Sequence, residues 1–457
     1  MSDGDQSGGS AGPITPSEPA LRVVAVVHSG ANSQRRREGT SQVPIGRNGN
    51  RTARAGPREH RARFVDVLSH PEFRSLWITE AVSLAGDQLA KVALAIMVFG
   101  RTQSALWAAL VYAMTFLPAL AGGLGLSQLA DHFPRRTIVI GCMLIQAVLV
   151  AAMAVPGTPL PVLCALVFGV GLAGAPANAA QHAIIREAIS DDELYLRSQD
   201  LRGVTTNTMM LVGLAGGGVL VTLIGPQLAL LLDALTFLLA AGIVRACVRH
   251  RPRATASRDG WFDGARLVFG DRRLRNLTWL GWLVGFAAVP AGLAAPLVSE
   301  LDAGDQAVGW LLAADPLGFV IGAFLLARFV PAAARLRLVP LLATVSLALL
   351  VPFALQPTLL TSLLLLTLGG MTGAYLITVN ATFLTLVPNE LRGGAGGVYR
   401  TGLRVSQGIG VAIAGAVAEW LGSAMYTVAI GGATGATLAL LVTAGWLRVR
   451  GQVTVNG

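Results

Sequence analysis

Only 13% of the 457 residues are charged while 53% are apolar, and the mean hydropathy is +0.61; soluble domains carry about 25% charged residues, so an ordinary soluble enzyme or binding module is excluded. The net charge of +10 does not signal nucleic acid, because the basic residues, all arginine but for Lys91, lie mostly in the connections between apolar runs, where the positive-inside rule accounts for them. The three cysteines lie in or at the ends of apolar runs without a CxxC, and the six histidines show no HExxH spacing, so no disulfide framework, metal centre or other cofactor is implied.

Residues 1–69 are rich in Gly, Ser, Pro and Arg and contain no apolar run of spanning length. Leu21–Val27 is too short for a signal-peptide core, and no apolar segment closely follows Arg35-Arg36-Arg37, as a twin-arginine signal would need. The stretch is read as a disordered, basic cytoplasmic tail able to touch anionic lipid.

Twelve apolar runs follow, at about 73–99, 105–130, 137–156, 160–182, 203–224, 227–247, 277–299, 306–329, 338–356, 358–386, 396–420 and 425–446, each long enough to cross a bilayer as a helix. Connections after the even-numbered runs carry Arg135, Arg136, Arg186, Arg197, the block Arg245 to Arg275, Arg328, Arg335, Arg337 and Arg392. The opposite side carries Arg101 alone, with Glu300, Asp302 and Asp305. Both termini are therefore expected in the cytoplasm.

The longest internal connection, residues 249–275, divides the runs six and six. Within it Trp261, Ala265 and Phe269 recur at helical spacing among Arg258, Arg266, Arg272 and Arg273, the pattern of a helix lying in the membrane interface. The halves, 70–248 and 276–450, also echo each other, and 451–457 is a short tail. At an offset of 197 residues, Glu193-Leu194, Gly213, Gly218 and Gly225 match Glu390-Leu391, Gly410, Gly415 and Gly422. Near 201, Phe73–Leu76 echoes Leu274–Leu277. An all-α membrane protein of twelve helices in two parallel six-helix halves is expected, with its site at the midplane between them.

Between the second and third runs lies Ser127-Gln128-Leu129-Ala130-Asp131-His132-Phe133-Pro134-Arg135-Arg136, a turn too short to do more than reverse the chain on one face. It resembles the loop signature Gly-x-Leu-Ala-Asp-Arg-x-Gly-Arg-Arg of the major facilitator superfamily. Leu129-Ala130-Asp131 and Arg135-Arg136 match, and Ser127, His132 and Pro134 replace the two glycines and the first arginine. Phe73-Arg74-x-Leu76-Trp77, Val82-Ser83-x-x-Gly86-Asp87, Val92-Ala93-Leu94, Thr102-x-Ser104, Asp233–Phe237 and Gly264-x-Arg266 resemble the drug/proton antiporter branch that includes macrolide-efflux proteins. The likeness covers about residues 70–450. Where such antiporters often carry Gly-Pro in span five, this chain has Gly213-Leu214.

Asp131 ends an inward-running helix, where its own helix dipole disfavours a carboxylate, so a partner is required. Arg135 and Arg136 are candidates, and the resemblance implies the start of span eleven; Asp131, Arg135 and Arg136 are read as a cytoplasmic gate. Span one carries Glu80, Asp87 and Lys91 along one face. A charge in a spanning helix costs about 2.5–3.5 kcal/mol on insertion scales, so the three should face a cavity rather than lipid. Asp87 and Lys91 suit an i,i+4 ion pair, and Glu80, lacking an opposite charge nearby in sequence, is the proton-carrier candidate. Asp233 and Asp315 are further coupling candidates, although Asp315 could instead satisfy backbone donors at a Pro316 kink. Asn178 and Asn207 are expected to line the cavity, and Arg400 and Arg404 to reach either a carboxylate or the headgroups. Gly213, Gly216, Gly218, Gly408, Gly410 and Gly415 are expected to mediate close helix packing.

A proton-coupled exporter is expected, multi-pass in a bacterial plasma membrane, monomeric, and moving small hydrophobic or amphiphilic compounds by alternating access. Drug resistance would be its phenotype. There is no phosphate-binding Gly-x-x-x-x-Gly-Lys loop and no nucleophile–base pair, so no enzyme is expected. The rival readings are an exporter of one endogenous metabolite such as a siderophore, and a non-transporting receptor or assembly subunit. Lipid, a small-molecule substrate and protons are the expected partners, and nucleic acid is not.

Overall fold

A computed structural model of the chain describes residues 64–123, 133–249 and 261–449, and every regular element among them is helical. The tail up to residue 63, Asp131 with its neighbours Ser127 and His132, the 250–260 part of the central connection with Arg258, and the tail from residue 450 lie outside the described residues. The helices are α1 (Phe64–Leu68), α2 (Pro71–Thr102), α3 (Ala105–Ala113), α4 (Pro118–Gly123), α5 (Arg135–Met153), α6 (Leu160–Ala188), α7 (Asp192–Ile224), α8 (Pro226–Cys247) and α9 (Trp261–Gly270). After them come α10 (Arg272–Gly292), α11 (Ala294–Glu300), α12 (Gln306–Phe329), α13 (Ala332–Ala348), α14 (Leu359–Gly373), α15 (Tyr375–Leu386), α16 (Arg392–Leu421) and α17 (Ala424–Val449).

Among the described residues nine helices are long and apolar enough to cross a bilayer, or ten if α10 and α11, bent by 48°, form one span. The two remaining apolar runs fall short for physical reasons. Ala105–Ala121 is a shorter apolar stretch, and α16, although 30 residues long, carries Arg392, Arg400, Arg404 and Glu419. The tail expected over 1–69 is also corrected at its end: α1 is helical, and its Val67 is fully buried in the apolar core.

Local chemistry sets the turns. Gln103 takes a left-handed conformation at the end of α2, and Ser104 accepts the Trp107 N–H to start α3, so α2 and α3 are joined by two residues. Gly225, at φ 84°, joins α7 directly to α8, which opens on Pro226, a residue that tolerates the first helical turn because that N–H is unpaired in any case. The bend between α10 and α11 falls between Pro290 and Pro296, each of which removes a backbone donor.

Helix α2 packs along α7 and α8, and α5 along α6 and α8; later in the chain α12 packs on α14, α13 on α17, and α9 and α10 on α16. The two sets meet where α7 touches α12 and where α3 and α4 touch α16. On α8, Ala229, Leu230, Ala234 and Phe237 are buried, whereas Leu228, Leu231, Leu235, Leu238 and Leu239 are exposed. Apolar surface on the outside with Asp233 buried inside is the arrangement a hydrocarbon solvent selects.

Candidate functional site

Glu80, which lacks an opposite charge nearby in sequence, is held by a residue 122 positions away. Arg202 of α7 donates from Nε to Glu80 Oε2 at 2.6 Å and from Nη2 to Oε1 at 2.8 Å. Arg202 Nη1 also lies 2.9 Å from His182 Nδ1 of α6. Helices α2 and α7 run parallel here: Trp77 Nε1 donates to Thr205 Oγ1, and Gly213 lies against Gln88. Side chains nine and ten residues into each helix therefore reach the same level. A planar guanidinium matching both carboxylate oxygens is a geometry-specific pair, and it occupies the carboxylate that the proton-carrier reading needed free.

About two and three turns further along α2, Asp87 and Lys91 do not form the expected ion pair. Lys91 Nζ donates instead to Gln88 Oε1 at 3.1 Å, and Asp87 has no hydrogen-bond or ion-pair partner among the described residues. The partner brought near them is Asp233 of α8, 1% exposed, whose Oδ1 accepts from Thr236 Oγ1 at 3.2 Å. The contact depends on Gly86: a methyl group there would overlap the Asp233 carboxylate and lie 2.6 Å from Thr236 Oγ1. Lys91 feels the charges of Asp87, Asp233 and Arg404, so α2, α8 and α16 contribute to one electrostatic cluster.

Asp315 of α12 is exposed and lines a recess with Val284, Phe319, Ser346, Leu366 and Tyr375. Its carboxylate accepts no backbone hydrogen bond at the Pro316 position among the described residues, so the kink-satisfying alternative does not apply. Arg404 is likewise exposed and has no hydrogen-bond or ion-pair partner among the described residues, and the charges of Arg404 and Asp315 both act on Tyr112 of α3. Arg400, one turn earlier on α16, acts instead on His182 beside the Glu80–Arg202 pair. Asn178 is exposed, and Asn207 turns back to donate to Gly203 O of its own helix at 2.9 Å.

At the arginine-rich end, Arg135 pairs with Glu187 at the end of α6, and Arg136 donates to the Arg245 carbonyl at the end of α8. These contacts tie α5 to its neighbours. At the opposite end, Glu419 Oε2 of α16 accepts from Ser104 Oγ at 3.0 Å and from the Leu106 N–H at 3.2 Å, a carboxylate placed on the positive end of α3. Around it, Gly415 lies on Ala105, Leu106 and Ala109, and Gly408 on Ala113 and Leu117. Gly218 lies on Gln306 and Gly309, and Gly410 on Gly285, whereas a Cβ on Gly216 would meet none of the described residues within 4 Å.

Arg202, His182, Tyr112 and Glu419 were not singled out from the sequence. Arg202 stands one position before an apolar run, where an arginine reads as a topology marker. Glu419 lies at a helix end, where a carboxylate reads as solvated. The signal available in the chain was Ser104 directly before the apolar run from Ala105, a residue type that starts helices and so places a positive helix end beside which an acid can sit.

The family model described as transmembrane secretion effector matches residues 65–453, and no curated protein sequence matches the chain. Among solved structures, a bacterial homologue of the human lysosomal transporter Spinster, inward-facing and unoccupied, is similar at TM-score 0.64 and 14% identity, over 82% of this chain and 97% of that one. The nucleoside transporter NupG is similar at TM-score 0.65 and 15% identity, over 82% and 98%. A POT family transporter in complex with 5-aminolevulinic acid gives TM-score 0.63 and 12% identity, over 82% and 96%. The helical membrane architecture and the family match over most of the chain lead to one conclusion: this chain belongs to the transmembrane secretion effector family and is a multi-pass, non-enzymatic membrane transporter of the major facilitator type.

Proposed function

We propose that the protein exports small amphiphilic compounds in exchange for protons, by alternating access between two six-helix halves. The plasma membrane of a bacterium is its setting, both termini are cytoplasmic, and it works as a monomer. Counting α3 with α4, the bent pair α10–α11 and α16 as spans gives twelve. The arginines at one end support the orientation. The repeated contacts of Gly218 on the start of α12 and Gly415 on the start of α3 support the duplication: the glycines are 197 apart and Gln306 and Ala105 are 201 apart.

The observation that carries the coupling is the approach of unpaired Asp87 to Asp233 across Gly86. Two carboxylates on adjacent helices, away from bulk water, favour holding a proton over bearing two charges. Lys91, engaged with Gln88, is close enough to compensate whichever carboxylate ionises. Glu80, bound by Arg202, is a less suitable carrier than Asp87.

Proteoliposomes loaded with ethidium provide the test. An imposed pH gradient should drive ethidium movement in the wild type. Asp87→Asn should abolish gradient-driven movement while ethidium counterflow persists. Gradient-driven movement at the wild-type rate in both Asp87→Asn and Asp233→Asn would move the coupling elsewhere, and absence of any gradient effect in the wild type would overturn the antiport reading.

A further inference from the structure

His182 links two helices that do not pack along each other. Although α6 and α7 are consecutive in the chain, α6 lies on α4 and α5, and α7 on α2 and α12. Near their junction Arg186 donates to Asp192 and covers the Tyr195 ring. Both charges are exposed there, and solvent leaves such a pair worth little. The interior link is the contact of His182 with Arg202, which is only 6% exposed. His182 itself is exposed and lies six residues before the end of α6, about 9 Å from it at 1.5 Å per residue, toward the arginine-rich end.

The geometry of this link depends on a proton. Arg202 Nη1 lies 2.9 Å from His182 Nδ1, and Nη2 lies 3.4 Å from Nε2. Guanidinium nitrogens only donate, so the ring nitrogen facing Nη1 must offer its lone pair. An imidazolium carries N–H on both nitrogens and would set donors against donors, with two positive charges in contact. The groups around the ring do not offset that charge. Glu80 of α2 already has both oxygens on Arg202, Gln199 of α7 accepts from Arg202 Nη1 at 3.3 Å, and Arg400 of α16 adds a further positive charge. On α6 itself Arg186 is paired with Asp192, and Glu187 with Arg135 of α5, whose Arg136 is held by the Arg245 carbonyl. Helices α3 and α4 carry no charged residue. A proton on His182 and its hydrogen bond to Arg202 therefore exclude each other.

We propose that His182 is a proton-binding site separate from Asp87 and Asp233, and that taking up a proton releases Arg202 and lets α6 part from α7 at the arginine-rich end. Glu80 keeps Arg202 on α2, so α6 is the helix that moves away. The site rests on the antiport reading only for its part in the transport cycle; the exclusion between proton and Arg202 holds without it. Side-chain imidazole changes charge between about pH 5 and 8, so the contact is expected at the upper end of that range and its loss toward the lower end.

The test uses full-length protein in nanodiscs. With histidine ring nitrogens isotope-labelled for NMR, the His182 signals are assigned by their absence in His182→Gln. They should show an unprotonated Nδ1 at about pH 8 and a doubly protonated ring at about pH 5. Ser198, fully buried one turn before Arg202 on α7, reports the parting of the helices. In a cysteine-free background, Ser198→Cys at the lower pH should react with a thiol reagent about tenfold or more faster than the same cysteine in His182→Gln, the factor for losing one hydrogen bond to a charged group. Comparison at equal pH cancels the titration of the thiol itself. Glutamine still accepts from Arg202 and does not titrate, so His182→Gln should stay protected at both pH values. His182→Lys, positively charged throughout, should be labelled fast at both. Labelling that rises equally with and without His182 overturns the proposal, and so does a wild-type ring that stays unprotonated down to about pH 5, a reading that does not depend on how the cysteine variants fold. His182-dependent labelling without gradient-driven ethidium movement refutes the antiport reading alone, and gradient-driven movement with His182-independent labelling refutes this site alone.

Discussion

At the residue scale, the Glu80–Arg202 pair has the most direct energetic consequence. Their side chains are 18% and 7% exposed, so little solvent screens the contact. Removing one member of a buried pair costs about 3–5 kcal/mol, because the other is left charged without compensation. Arg202→Ala is expected to lower the thermal midpoint of the purified protein clearly, and Arg202→Ala combined with Glu80→Ala to recover a large part of the loss. If the double variant is as unstable as the sum of the singles, the pair is not coupled in the way its geometry indicates. His182 lies beside Arg202 Nη1 without an acid of its own among the hydrogen bonds, which makes Arg202 the centre of this group.

At the element scale, the end opposite the arginines is closed by α3 against α16 and by α7 against α12. Glu419 accepts two hydrogen bonds from the start of α3, and hydrogen bonds to a charged group contribute about 1.5–3 kcal/mol each. Under alternating access these bonds must break whenever that end opens. Glu419→Ala is therefore expected to raise the population open at that end. In a cysteine-free background, Leu106→Cys should then react faster with a membrane-impermeant thiol reagent, by about tenfold or more if one such bond is lost in full. An unchanged labelling rate would make Glu419 a static cap of α3. Arg135 and Arg136 fasten α5 to α6 and α8, contacts that can travel together as one body.

At the scale of the whole molecule, the same close approach occurs twice. Gly218 would overlap Gln306 and Gly309 if it carried a side chain, and Gly415 would overlap Ala109. Glycine is required at both because backbone meets backbone or the first side-chain carbon there. Gly218→Val and Gly415→Val should therefore give the same outcome: protein that reaches the membrane, stays open at that end, and transports slowly. Thiol accessibility at that end and ethidium transport in proteoliposomes measure both. A defect in only one variant would mean that the two contacts are not equivalent in the cycle.

Much of this was present in the linear chain. Charge content of 13% and apolar runs of spanning length dictate helices in a bilayer, because hydrocarbon offers the backbone no other hydrogen-bond partner. The loop around Asp131 resembles the superfamily signature, and the family match agrees with that superfamily. The charges of α2, the acid of α8 and the arginines of α16 were recognisable because charge inside an apolar run is costly. What each charge meets was not recognisable. Glu80 finds Arg202 122 residues on, Lys91 turns to Gln88 in place of Asp87, and Asp87 approaches Asp233 only because Gly86 lets α8 come close. Sequence by itself determined the solvent and therefore the class of fold, since periodicity and composition are local properties of the chain. The pairing of charges was decided by tertiary structure alone, since Coulomb energy depends on distances that helix packing sets.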